Sequence, residues 1–171
     1  MLTAANSLTL ADGSAHPTGF WAEELVVAHR ALRAAGVELV LATPGGAPAP
    51  VDPGSLAVDG GEEFAAYLDS ISGELQHPAV LAEQSAADFD AIVIPGGHGP
   101  MADLATDADA GALLITADAA GVVIAPFCHG PAALLSATHP DGSFAFSGRR
   151  LTAFTDDEGR TGGLGAGAPW L

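Results

Sequence analysis

Lysine is absent from the sequence, and cysteine occurs once, at Cys128. Without lysine the protein cannot form a Schiff base on a side-chain amine, and a single cysteine cannot form an internal disulfide. No apolar run approaches the roughly 20 residues that a membrane-spanning helix needs, and residues 1–17 show no secretion signal. These absences predict a cytoplasmic protein that does not associate with membranes.

Positive charge is scarce as well, since five arginines and 21 acidic residues leave a formal net charge of −16. Such a surface repels the phosphates of nucleic acids and of anionic lipids. Nucleic acid is therefore not an expected partner. The 171 residues suffice for one domain with a core and are too few for two ordinary ones, so residues 1–171 are expected to form a single domain.

The apolar patterning alternates between helical and strand-like segments. It predicts helices at residues 20–35, 62–70, 77–86, 107–120 and 130–136, strands at 37–44, 91–97 and 122–127, and two short strands within 144–154. This alternation is typical of an α/β fold whose mostly parallel sheet is covered by helices on both faces.

Cys128 follows the predicted strand 122–127 and precedes the helix that begins near Pro131. A lone cysteine is often a buried, inert side chain. Ligands of parallel α/β sheets, however, bind beyond the carboxyl ends of the strands, where this cysteine lies. A thiol facing a helix N-terminus is expected to have a pKa lowered from about 8.5 into the range of about 3.5–7.5. The position favours a nucleophile.

Two further segments are expected to reach the same edge of the sheet. In IPGGHGP (94–100) the N–H of Gly97 could form an oxyanion hole with the N–H of His129, although a Gly-Gly turn is common at strand ends. In TGFWAEEL (18–25) Glu23 and Glu24 are adjacent at the start of a helix, so only one of them can point inward.

Together these segments resemble the DJ-1/PfpI superfamily, and within it the Hsp31-like branch, which is grouped with class I glutamine amidotransferase-like proteins. The resemblance covers nearly the whole chain and is carried by TGFWAEEL, VDPGSL, IPGGHGPMADL, CHGPAALL and LTAFTDDE. It implies a flavodoxin-like three-layer sandwich with the cysteine on a strained nucleophile elbow. It also implies a homodimer, and a first strand and C-terminal segment that are incomplete here.

The resemblance assigns catalytic roles to Cys128 as nucleophile, His129 as the active-site histidine and Glu24 as a buried carboxylic acid. It assigns the oxyanion-hole amides to Gly97 and His129. The helical spacing of Phe20, Glu24, Val27 and Ala31 agrees, because it puts Glu24 on an apolar stripe where its pKa should be raised.

The resemblance also implies a carboxylate that orients the histidine, but the sequence has Gly159 at the corresponding position. Glu158 lies one residue earlier, and Asp156 is a further candidate for this third member of the triad.

The function implied by the resemblance is a glutathione-independent glyoxalase that converts methylglyoxal to D-lactate, with a related protein or nucleotide deglycase activity and a stress-protective role. A small dicarbonyl compound is the expected substrate. The alternatives are a holdase chaperone or binding module, and a PfpI-type cysteine peptidase or amidase. No cofactor is expected. No metal is expected either, because the histidines lack the spacing of a zinc site; they are His16, His29, His77, His98, His129 and His139.

Overall fold

The computed structural model describes residues 1–155 together with residues 157, 158, 164, 167 and 169. Its helices are α1 (Ala22–Ala34), α2 (Pro53–Leu56), α3 (Gly61–Ser70), α4 (Ser72–Gln76), α5 (Gly99–Ala102) and α6 (Ala108–Ala120). Its strands are β1 (Ser7–Thr9), β2 (Ala15–Pro17), β3 (Ala42–Thr43), β4 (Ala79–Val80), β5 (Ala91–Ile94) and β6 (Val123–Pro126). A 3-10 helix, Gly130–Ser136, follows β6.

Short parallel ladders form the centre of the molecule. Strand β5 pairs with β6 over four residues and β3 pairs with β4 over two, both in parallel, whereas β1 and β2 form an antiparallel hairpin. Residues 1–3 lie between the two parallel pairs. The Leu2 N–H donates to the Ala42 carbonyl at 2.8 Å, and the Met1 amine donates to the Val93 carbonyl at 2.9 Å. Beside Met1, a groove of about 770 Å³ separates residues 37–42 from residues 88–93.

Two apolar clusters pack helices against this centre. One cluster joins α6 and the 3-10 helix Gly130–Ser136 to β5, with Leu104, Leu114 and Ile94 fully buried. The other packs α1 against α3 and α4 together with Leu2 and Phe20. Parallel strands between two helical clusters confirm the predicted three-layer α/β architecture.

The ends of the long helices follow from local chemistry. Asp107 caps the N-terminus of α6, because its side chain accepts the Ala110 N–H at 2.8 Å. Gly121, in the left-handed conformation, caps the C-terminus. Gly36, with φ +80°, likewise turns the chain just after α1. Both helices lie within two residues of their predicted bounds. No helix in the described part of the chain is long and apolar enough to cross a membrane.

Four predicted elements are wrong or much reduced. The helix predicted at 77–86 is reduced to the 3-10 turn Leu81–Glu83, because Pro78 follows α4 and the next two residues pair with β3 as strand β4. The strand predicted at 37–44 enters a ladder only at Ala42–Thr43. The two strands predicted within 144–154 do not form, because Gly148 turns the chain at φ +77° and leaves one isolated bridge, Thr138 to Phe144.

Candidate active site

Cys128 occupies a strained turn directly after β6. Its φ of +53° is the only positive φ at a non-glycine residue in the described part of the chain, which confirms the predicted elbow. The turn is tight: the Gly130 N–H donates to the Phe127 carbonyl at 2.5 Å. A side chain at residue 130 would place its Cβ 2.2 Å from the Ile94 carbonyl oxygen, so only glycine fits beneath the cysteine.

The loop after β5 closes over the thiol. A Cβ at Gly96 would lie 2.7 Å from the His129 nitrogen and 2.8 Å from the Cys128 Cβ. Gly97 has φ +81°, and a Cβ there would lie 2.4 Å from the Gly19 carbonyl oxygen. Because both residues are glycines, the backbones approach closely, and the N–H groups of Gly97 and His129 act on the cysteine sulfur in the direction that lowers the pKa of the thiol. The two predicted oxyanion-hole amides therefore converge on the thiol.

Glu24 points into the site, and Glu23 is exposed. Glu24 Oε2 accepts the Gly96 N–H at 2.5 Å, and its carboxyl group also hydrogen-bonds to the Cys128 thiol. The apolar stripe from which this was predicted is wrong, because Val27 is 55% exposed. The buried face of α1 instead consists of Ala22, Leu25, Val26 and His29. Glu24 reaches the site because side chains of a first helical turn lean toward the N-terminus.

Burial sets the protonation of this pair. It raises the pKa of the Glu24 carboxyl above its usual value, although the bonds from Gly96 and Cys128 oppose the shift. Burial, and then the Glu24 carboxylate, raises the pKa of the Cys128 thiol to about 12. The predicted low thiol pKa is therefore wrong: the amides of Gly97 and His129 lower it, but desolvation and the adjacent negative charge outweigh them. At neutral pH the thiol therefore keeps its proton.

His129 completes the contacts of the thiol. Its Nδ1 lies 3.3 Å from Cys128 Sγ, and its ring packs against Phe154 at 4.6 Å and His98 at 4.8 Å between centroids. The Phe154 N–H donates to the Cys128 carbonyl at 3.0 Å, which holds this wall in place. Burial, and then the nearby His98, lowers the pKa of His129 to about 4, so the imidazole is neutral at neutral pH and can accept a proton.

Of the residues considered for the carboxylate that orients His129, the structure describes Glu158. Glu158 is exposed. Its Oε2 accepts two hydrogen bonds from Thr155, one from the hydroxyl at 2.7 Å and one from the backbone N–H at 2.9 Å, and these bonds lower the pKa of the glutamate. Its action on His129 stays a prediction. Asp156 and Gly159 lie outside the described residues.

A second group of polar side chains lies next to this site and was not predicted. His16, Asp52 and His98 each place one nitrogen or oxygen atom within 4.8 Å of the others, a donor set suited to a metal ion. The residues are 36 and 46 positions apart in the chain, so no local spacing reveals them. His98 belongs to IPGGHGP, where the sequence drew attention to the amide of Gly97, and Asp52 belongs to VDPGSL, which contributes only to the family resemblance.

Comparisons with known proteins identify the family of the chain. Residues 16–161 match the model of the DJ-1/PfpI family. The protein/nucleic acid deglycase HchA of Pseudomonas aeruginosa is 30% identical over 179 residues, a match that covers 96% of this chain and 60% of the relative. The chain therefore spans about 60% of the length of that curated relative.

Solved structures share the fold. Glyoxalase III from Candida albicans is 25% identical with a TM-score of 0.76, over 95% of this chain and 70% of that one. The rapid encystment protein of Francisella tularensis has a TM-score of 0.83 at 24% identity, over 99% of this chain and 74% of that one, and shows the fold alone. The chain belongs to the DJ-1/PfpI family, in its Hsp31-like branch.

Proposed function

We propose that the chain is a cysteine-dependent enzyme that converts methylglyoxal to D-lactate without glutathione. The observation that carries this proposal is the set of groups around the Cys128 sulfur: a carboxyl group, a neutral imidazole and two backbone amides. The name of the Candida albicans neighbour, glyoxalase III, supports the same chemistry.

The first step is addition of sulfur to the aldehyde carbon. The thiol is protonated at neutral pH, so its proton passes to Glu24 as the C–S bond forms. The carbonyl π electrons move to oxygen, and the N–H groups of Gly97 and His129 would stabilise the negative charge that develops there. Return of the proton from Glu24 to this oxygen gives a neutral hemithioacetal.

The second step moves hydrogen between the two carbons of the substrate. His129, neutral and next to the sulfur, takes the proton from the former aldehyde carbon to give an enediol, and a proton is then delivered to the neighbouring carbon. The first carbon is oxidised to a thioester as the second is reduced to an alcohol, so no external oxidant is needed. Water then cleaves the thioester, releasing lactate and restoring the thiol.

The direct test is the conversion of methylglyoxal to D-lactate, measured with a stereospecific lactate assay. Cys128→Ser is expected to lower kcat/KM by at least about 10³-fold, because the nucleophile is lost. Glu23→Gln serves as the matched control, since this exposed glutamate neighbours the catalytic one and should leave the rate unchanged. Equal rates for the wild type and Cys128→Ser would refute the proposal.

The same adduct chemistry fits a deglycase. The same hemithioacetal also forms when the Cys128 sulfur displaces the amine from the carbinol carbon of an early glycation adduct, with a proton passing to the departing nitrogen, and the Pseudomonas aeruginosa relative is named a protein/nucleic acid deglycase. The two activities separate kinetically: a deglycase releases amine from a preformed adduct faster than free methylglyoxal is consumed from the same solution.

Holdase activity is a second candidate, favoured by exposed apolar side chains in β6 and in the chain that follows it. Five large side chains there are 37–60% exposed: Val123, Phe127, Leu135, Leu151 and Phe154. Exposed apolar area of this kind can hold an unfolded client. If it does, suppression of client aggregation survives Cys128→Ser but declines in Leu135→Ser and Leu151→Ser.

A further inference from the structure

We propose that His16, Asp52 and His98 form a binding site for one divalent transition-metal cation, with Zn²⁺ as the best-matched ion. The three donor atoms lie within 4.8 Å of one another, and they belong to three segments that are distant in sequence. Two imidazoles and a carboxylate are a donor set that zinc uses when it keeps a further coordination position open. The site is independent of the function proposed for Cys128.

Each donor is positioned by the backbone of its own element. His16 lies on β2 opposite Leu8, Asp52 is the N-cap of α2, and His98 is the N-cap of α5. The intervening segment 18–21 links the last two, because the Asp52 N–H donates to the Phe20 carbonyl and the Gly99 N–H to the Gly19 carbonyl. The donors are therefore held together by hydrogen bonds that do not involve their side chains.

The buried nitrogen of His98 points to a missing ligand. His98 Nδ1 is buried and has no hydrogen-bond partner in the described part of the chain, a rare condition for a buried polar atom. It lies 4.0 Å from Asp52 Oδ2, too far for a direct hydrogen bond but a suitable span for two ligands of one ion. A cation between them would satisfy both atoms.

Asp52 is already oriented as a metal-bound carboxylate would be. Its Oδ2 accepts the Thr18 hydroxyl and its Oδ1 accepts the Gly54 N–H, each at 2.8 Å, and the residue is only 4% exposed. Outer hydrogen bonds of this kind fix the direction of a ligand and raise affinity. Each carboxylate oxygen retains lone-pair capacity after accepting one bond.

A small movement completes the geometry. Zinc–ligand bonds of about 2.0–2.2 Å place tetrahedral donor atoms about 3.3–3.5 Å apart, so the present separations must shorten by about 1 Å. His16 is half-buried on a two-stranded hairpin, where rotation of its side chain can supply that approach.

Titration of the metal-free protein with Zn²⁺, followed by calorimetry and by metal analysis after dialysis, tests the site. We expect one ion per chain, and a loss of affinity of at least about ten-fold in His16→Gln and in Asp52→Asn. His77→Gln and Asp69→Asn are the matched controls, because both residues are exposed and lie outside the cluster. They should bind as the wild type does.

Cobalt(II) distinguishes this site from the nearby thiol. Binding at His16, Asp52 and His98 gives visible d–d bands without a sulfur-to-cobalt charge-transfer band, and Cys128→Ser leaves the spectrum unchanged. A charge-transfer band that disappears in Cys128→Ser would place the ion on the thiol and overturn the proposal. So would the absence of binding, or full binding by His16→Gln.

A loss of Zn²⁺ affinity must be distinguished from a loss of stability of the variant. Asp52 also caps α2 and accepts from Thr18, so thermal melting of each metal-free variant accompanies the titration. His16→Gln removes a ligand from the hairpin without removing a cap. If it melts like the wild type yet binds Zn²⁺ as tightly, the site is refuted.

Discussion

At the scale of single residues, Cys128 and Glu24 compete for one proton, because burial raises the pKa of both groups. Removing the charge of Glu24 should therefore make the thiol easier to ionise. Glu24→Gln is expected to lower the pKa of Cys128 by about one unit or more, measured from the pH dependence of alkylation by iodoacetamide. Turnover should nevertheless fall, because the variant lacks the group that accepts the thiol proton.

Glu23→Gln separates this local effect from a general change of charge. Its side chain is exposed, so it should leave the alkylation profile nearly unchanged. A thiol pKa that stays constant or rises in Glu24→Gln would contradict the expected sign. It would place the proton on Glu24 and make that residue a donor to a resting thiolate.

Gly97 and Gly36 allow backbone strain to be separated from steric conflict. Both have φ near +80°, but a Cβ at Gly36 meets nothing within 4 Å, whereas one at Gly97 meets the Gly19 carbonyl at 2.4 Å. Gly36→Ala should cost about 1–2 kcal/mol of stability from the left-handed backbone alone. Gly97→Ala should cost more and abolish turnover, because the loop that donates to Cys128 must shift. Similar unfolding free energies for the two variants in urea would show that the loop yields easily.

The sequence was informative about the active site where function depends on local order. Cys128 and Gly97 follow recognisable strands, and Glu24 opens a recognisable helix, so their meeting at one edge of the sheet could be predicted. The thiol pKa could not, because it depends on desolvation and on the distance to a carboxylate. Nor could the cluster of His16, Asp52 and His98, which arises only when three segments distant in sequence fold together.

At the scale of secondary structure, Asp103 anchors residues 3–5 to the end of α5. Its carboxylate accepts the Thr3 hydroxyl at 2.8 Å and the N–H groups of Ala4 and Ala5 at 2.7 and 3.0 Å. Asp103→Ala leaves these donors without their acceptor and should cost about 2–4 kcal/mol in urea unfolding. Asp109→Ala, at an exposed position of α6, is the control and should change stability by less than about 0.5 kcal/mol. Equal stability of the two variants would show that the segment is anchored elsewhere.

Helices were easier to predict than strands in this chain. The long helices span ten or more residues: α1 and α3 show apolar periodicity, and α6 is bounded by the Asp107 N-cap and by Gly121. Strand β4 is two residues long and forms only because β3 lies beside it, so no local pattern marks it. The aromatic residues at 144–146 suggested a strand, but Phe144 and Phe146 pack against each other in a turn region instead.

At the scale of the whole molecule, excess negative charge opposes folding. The net charge is −16, and the exposed ion pairs of the described chain include Arg30–Glu63, Arg33–Glu74 and Arg149–Asp118. Exposed pairs contribute at most about 1 kcal/mol each, whereas repulsion among the remaining carboxylates acts over the Debye length. Repulsion should therefore dominate the response of stability to salt.

Raising the NaCl concentration from about 0.01 M to about 0.15 M shortens the Debye length from about 30 Å to about 8 Å. We expect the Tm to rise by about 2–4 °C, the change that corresponds to about 1 kcal/mol for a domain of this size. A variant that neutralises exposed carboxylates around α3, Asp59→Asn with Glu62→Gln and Asp69→Asn, should melt higher at low salt and respond less to NaCl. A Tm that falls as NaCl is added would mean that the arginine pairs contribute more than the repulsion that salt screens.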